Sequence, residues 1–143
     1  MDTKLKGDIA EQAVILHALK QGWNVLKPLG DRLPYDMVFD IDGKFIKIQV
    51  KGAWFDESRQ NYVADNRRTK TNRRVMLREK YHETDFDFAI IYLDKIQVFY
   101  ILPIHVFISY SSEIHFVESE KRQRKPKSAE YREAWHLLKS AIQ

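Results

Sequence analysis

The chain has 143 residues, 44% of them hydrophobic, which suits one ordinary domain with a real core. It has no cysteine, no secretory signal pattern and no apolar run of the ~18 residues a bilayer span needs. A disulfide framework, a thiolate metal site and a membrane partner are therefore excluded, and a soluble cytoplasmic protein is expected. The formal net charge is only +4, but it is uneven. Between Arg59 and Lys80 the basic residues Arg59, Arg67, Arg68, Lys70, Arg73, Arg74, Arg78 and Lys80 face only Asp65 and Glu79 as acids. A second cluster runs from Lys121 to Lys127. Concentrated positive charge is the footprint of a polyanion partner, although a solvated loop has the same composition.

Residues 3–21 predict a helix, with Asp2 or Thr3 as its cap and Gly22 at its stop. Apolar residues surround most of its circumference, which predicts burial on several sides. Asp8 and Glu11, three residues apart, share a face. A short strand, "WNVLKP", and a Gly/Pro loop follow. "DMVFDI" and "KFIKIQVK" then read as strands joined by Asp42-Gly43, the pair that a type I′ hairpin turn favours. Residues 54–65 suggest a further strand and 66–74 a loop or hairpin tip. "FDFAIIYL" and "IQVFYIL" are strongly apolar strands expected at the sheet centre. A short helix after Pro103, a strand at "EIHFV" and a C-terminal helix over 128–142 complete the order. The fold expected is a single α/β domain over 1–143, a mixed sheet flanked by helices, with a basic segment inserted at about 55–80.

The hairpin sets the chemistry. With Asp42 and Gly43 at the turn, Val38 faces Lys47 and Asp36 faces Gln49, and opposed Cβ atoms lie roughly 5 Å apart. Lys51 is two residues beyond Gln49 on the same face. Asp36, Gln49 and Lys51 thus converge at one end of the hairpin. Oxygen donors so spaced suit a hard divalent cation such as Mg²⁺, and a nearby lysine would stabilise charge on a phosphate. Such residues also occur on the solvated face of an ordinary hairpin. Here the strand before Lys51 is rich in Ile and Val, and Glu11 lies in an apolar surround where an unpaired carboxylate is costly. The five histidines lack ligand spacing, and there is no P-loop or dinucleotide fingerprint.

An acidic residue on a first helix, "GDIAEQAV", an Asp opening a strand, "PYD", and a hairpin to "IQVKG" together resemble the PD-(D/E)XK nuclease superfamily, and its homing endonucleases in particular. The resemblance implies a restriction-endonuclease-like αβββαβ core, site-specific Mg²⁺-dependent cleavage of duplex DNA, and a homo-oligomer, at least a dimer and by resemblance a tetramer. Carried over, Asp36 would be the central metal ligand and Gln49 would take the second acidic position. Glu11 would assist the metal, and Lys51 would be the lysine of the motif. Two departures stand out: Tyr35 separates Pro34 from Asp36, and Gln49 replaces an acid. A junction resolvase, or a non-cleaving DNA-binding module on the same fold, are the alternative readings.

The basic segment is the expected DNA surface, because Arg, Lys, Asn and Gln serve both phosphates and base edges. The candidates are Arg59, Asn61, Tyr62, Arg67, Arg68, Lys70, Asn72, Arg73 and Arg74. One 17-kDa chain offers one site, so cutting both strands calls for a symmetric pair.

Overall fold

In the computed structural model residues 2–71, 76–119 and 125–142 are described, apart from the side chains of 69–71 and 76–77. Helix α1 spans Thr3–Lys20. The Asp2 carboxylate accepts the Lys4 N–H at 2.9 Å and satisfies one of the first turn's orphan donors. At the other end Gly22 takes φ +82°, and the Trp23 N–H returns to the Ala18 carbonyl, which closes the helix with a Schellman-type stop. Ala10, Val14 and Ala18 form the buried face, while Leu5, Leu16 and Leu19 stay exposed. The helix is therefore buried on one side, not on several as its composition suggests.

The strands are β1 (Asn24–Leu26), β2 (Met37–Ile41), β3 (Lys44–Gly52), β4 (Trp54–Asp56), β5 (Asn61–Asp65), β6 (Arg67–Thr71), β7 (Met76–Lys80), β8 (Phe88–Leu93), β9 (Val98–Pro103) and β10 (Glu113–Phe116). Helix α2 (Ile104–Phe107) follows β9, and α3 (His136–Ala141) lies near the C-terminus. The main sheet has the order β1-β2-β3-β8-β9. Only the β3–β8 pair is parallel, so the sheet is mixed as expected. The β2–β3 register runs from Ile41↔Lys44 to Met37↔Ile48, as the Asp-Gly turn dictates. Asp42 (φ 51°) and Gly43 (φ 78°) both have positive φ, the requirement of a type I′ turn.

Alternation along the strands divides the core into two. On one face Met37, Phe39, Ile48, Val50, Ile90 and Ile101 pack under α1 and α3. On the other, Ala89, Ile91, Tyr100 and Leu102 meet a small sheet of order β10-β5-β4 together with Phe107 of α2. β3 presents Lys47, Gln49 and Lys51 to this second side.

Parallel strands need a crossover. Residues 53–87 supply it with β4, β5 and the two-stranded ribbon β6–β7, and among the described residues it contains no helix. Two expectations need correction. β9 lies at a sheet edge, not its centre; it is buried because Tyr100 bridges to Arg132 and the chain end covers it. The C-terminal helix over 128–142 is broken into a 3₁₀ turn (Ala129–Tyr131) and α3. Glu133 stands between them at φ 50°, its N–H donating to the Phe99 carbonyl at 2.7 Å and its carboxylate accepting the Phe99 N–H at 3.0 Å. This pairing with the β9 edge replaces helical bonds. Ser128 does not cap; its hydroxyl donates to the His115 carbonyl.

Phe39 is fully buried against Trp23 at 5.6 Å between ring centroids. Phe39→Ala should cost about 3–5 kcal/mol of unfolding free energy, read from the urea midpoint at unchanged m-value.

Candidate active site and DNA-binding ribbon

Asp36 stands where β2 parts from β3. Pro34 has no N–H to continue the ladder. Simple register sets Asp36 opposite Gln49, and the structure adds a detail. The Asp36 N–H donates to the Ile48 carbonyl at 2.9 Å, and its Oδ2 accepts the Val50 N–H at 2.7 Å. Asp36 therefore grips β3 on both sides of Gln49. Among the described residues no protein donor reaches its other oxygen, Oδ1. Burial pushes the Asp36 carboxyl up to about 6, with the Glu11 charge adding to the rise and the Val50 N–H, Lys51 and Lys27 opposing it.

Gln49 is 9% exposed. Its NH₂ makes only a long contact, 3.4 Å to the Val50 carbonyl, which leaves the amide oxygen for a cation. Lys51 does not pair with Asp36. Its Nζ donates to the Arg67 carbonyl at 3.0 Å and stands 5.3 Å from the Tyr81 ring centroid. Burial lowers the Lys51 pKa, while Asp65 and Asp36 resist that shift. Lys51 also lines a cleft of about 610 Å³ with Lys6, Trp54, Phe55, Tyr92 and Lys95. Glu11, on α1, pairs with Lys27 at 3.1 Å, and its charge acts on Asp36. Asp8, expected on the same face, is exposed and not among the charges that act on Asp36.

Asp36, Gln49 and Glu11 offer only oxygen donors, the set a hard cation such as Mg²⁺ takes. Among the described residues no three His, Asp or Glu side chains gather as a complete cage. Water and phosphate oxygens would therefore fill most positions, as is usual for Mg²⁺. The raised Asp36 carboxyl marks negative charge that the protein itself leaves uncompensated, and a divalent cation would offset it. The residues fit the ion.

The ribbon β6–β7 pairs Arg67 with Lys80 and Arg68 with Glu79, continuing to Thr71 and Met76. It rises beside Lys51. Asp65 pins its base: the carboxylate accepts the Arg67 N–H at 2.7 Å, the Arg67 guanidinium at 3.2 and 3.1 Å, and Arg78 at 3.0 Å. The Arg68 guanidinium donates to the Arg32 carbonyl at 2.6 Å. Lys70 belongs to β6. Asn72, Arg73 and Arg74 lie outside the described residues.

Three candidates are not brought to the ribbon. Asn61 and Tyr62 are 3% and 5% exposed inside the small sheet, where β5 packs them against β4 and β10 and away from the ribbon. Arg59 sits beyond the far end of β5, roughly 20 Å along the strand from Asp65. There it meets Asp56 at 3.8 Å and His115 at 3.3 Å. Asp65 and Tyr81, which flank the ribbon and face Lys51, were missed. Reading residues 67–80 as a hairpin would have placed both at its feet.

The Asp36 shift sets a pH dependence. A carboxyl raised above its usual 3.8 binds its proton more tightly in the folded state. Its contribution is most favourable below 3.8 and is lost as pH rises through about 6. In cation-free protein at pH 8, Asp36→Asn should thus raise stability by about 1–3 kcal/mol, with the gain vanishing near pH 4. Denaturant melts at the two pH values check this.

A sequence model described as PD-(D/E)XK endonuclease matches residues 1–138. Three chains of solved structures match as well. One is the structure of a bacterial homing endonuclease, I-Ssp6803I, at 61% sequence identity and TM-score 0.92, covering 100% of this chain and 98% of that chain. Comparison with curated proteins found no match. With its hairpin, its Asp36–Gln49–Lys51 cluster and this match along nearly its whole length, the chain belongs to the PD-(D/E)XK endonuclease family.

Proposed function

We propose that the protein is a homing endonuclease that cuts duplex DNA at a specific site with Mg²⁺ or another divalent cation. The observation that carries this reading is the juxtaposition at the root of the basic ribbon. There the free oxygen of Asp36, the Gln49 amide and the Lys51 ammonium lie together on one strand end. The 61% identical relative, itself described as a homing endonuclease, supports it.

A two-stranded ribbon is narrow enough for the major groove, about 12 Å wide, where side chains read base edges. Arg68 and Lys80 at its base, with Lys70 of β6, would serve phosphates and bases, and Asn72, Arg73 and Arg74 remain candidates from the sequence. With the ribbon seated, the backbone beside the groove passes the Asp36 end of β3. A cation held by Asp36, the Gln49 oxygen and Glu11 would offset phosphate charge and make water more acidic. Lys51 would place its ammonium beside the scissile phosphate, stabilising charge that develops on its oxygens. Glu11, whose charge already acts on Asp36, would contribute the negative charge that Gln49 lacks. Each chain carries one such cluster, so cutting both strands requires at least a dimer arranged about a two-fold axis on the DNA.

The direct test incubates the protein and Mg²⁺ with a library of long duplexes and maps the ends produced. Discrete cuts at one sequence, abolished by EDTA, are expected. Cutting of branched DNA without sequence preference, or binding without any nicking, would reject the reading. Lys51→Ala and Asp36→Asn should each abolish cutting while DNA affinity changes little, measured by gel shift without cation. Arg68→Ala combined with Lys80→Ala should lower the slope of log affinity against log salt by about 2, from two lost phosphate contacts.

A further inference from the structure

Resting on the endonuclease reading, the geometry points to Tyr81 as a positioning residue for Lys51, tying that lysine to the feet of the DNA ribbon. A lysine side chain is long and flexible and is poorly placed unless something holds it. Two contacts hold Lys51, and they come from the two feet of the same ribbon. The Arg67 carbonyl, at 3.0 Å from Nζ, belongs to the first residue of β6. Tyr81, whose ring centroid lies 5.3 Å from Nζ, directly follows Lys80, the last residue of β7.

The Tyr81 ring is itself fixed. It is 6% exposed and packs against Phe86 at 5.1 Å and Phe107 at 5.8 Å. Among the described residues its hydroxyl has no hydrogen-bond partner in the protein, so the aromatic face carries the interaction. An ammonium within about 6 Å of a ring centroid is attracted by the ring's negative face. Asp65 completes the arrangement by tying Arg67 to Arg78, which keeps the two feet of the ribbon together beneath Lys51. Both supports of Lys51 sit at the ribbon base, one on the first residue of β6 and one directly after β7. The lysine is therefore set by the element that reads the DNA, and not only by β3.

The test compares wild type, Tyr81→Phe and Tyr81→Leu on the duplex that wild type cuts in the library. Tyr81→Phe keeps the ring and should cleave within about twofold of wild type in single-turnover rate. Tyr81→Leu should cleave about 10- to 100-fold more slowly while its gel-shift affinity stays within about threefold, because a displaced reacting group costs rate rather than binding. A second measurement needs no destabilised variant. In wild-type protein labelled with ¹³C at lysine Cε, Lys47, Lys51, Lys95 and Lys127 all lie against aromatic rings, and among the upfield-shifted methylenes Lys51→Arg should remove one, the signal of Lys51 over Tyr81. Tyr81→Leu cutting at the wild-type rate, Tyr81→Phe as impaired as Tyr81→Leu, or no upfield Lys51 signal would each overturn the inference. If wild type itself cuts no duplex, the endonuclease reading fails, and the lysine spectrum still decides whether Tyr81 holds Lys51.

Discussion

The site is built on a strand that cannot shift. β3 is hydrogen-bonded to β2 along one edge and to β8 along the other, antiparallel and parallel respectively. Because side chains alternate, Ile46, Ile48 and Val50 must fill the core under α1, which commits Lys47, Gln49 and Lys51 to the opposite side. A slip of one residue would turn the three polar side chains into the core under α1 and the three aliphatic ones toward the site. The 2.7 Å bond from the Val50 N–H to the Asp36 carboxylate closes this arrangement. It stands in for the next rung of the ladder and holds the carboxylate at the end of the sheet.

Each member of the polar row reaches a backbone carbonyl: Lys47 that of Thr84 at 2.7 Å, Gln49 that of Val50, and Lys51 that of Arg67. Lys47 thereby anchors the return from the ribbon to β8, and Lys51 its departure. The row thus fixes the inserted segment at both of its ends. Asp36 shows the cost of such a site. Burial, with the Glu11 charge adding to it, makes the anion unfavourable in the protein alone. Stability is given up at a position where a cation would restore it.

The hairpin register was legible because it depends on local chemistry: Asp42-Gly43 fixes the turn, and the period of two does the rest. That was enough to gather Asp36, Gln49 and Lys51, and to mark Gln49 as standing where an acid is expected. The division of the basic segment was not legible. Asn61 and Tyr62 have the composition of a reading surface, yet β5 is sandwiched between β4 and β10, and that pairing links residues some fifty positions apart. Likewise residues 128–142 carry a helical stripe, but the edge of β9 offers Glu133 better-placed bonds than a continuous helix does.

The sequence by itself determined the strands of the main sheet, the turn, the register and hence the three residues at the hairpin's end. Each follows from side-chain period or turn preference over a few neighbouring positions. The single strand expected over 54–65 is instead a hairpin of β4 and β5. Only the tertiary structure decided which polar groups are buried, that Asp36 takes two bonds from β3 rather than simply facing Gln49, and that Lys51 is held by Arg67 and Tyr81. Those contacts join segments from 12 to 30 positions apart. Their formation depends on the packing of the second sheet against β8 and β9, which no local pattern encodes.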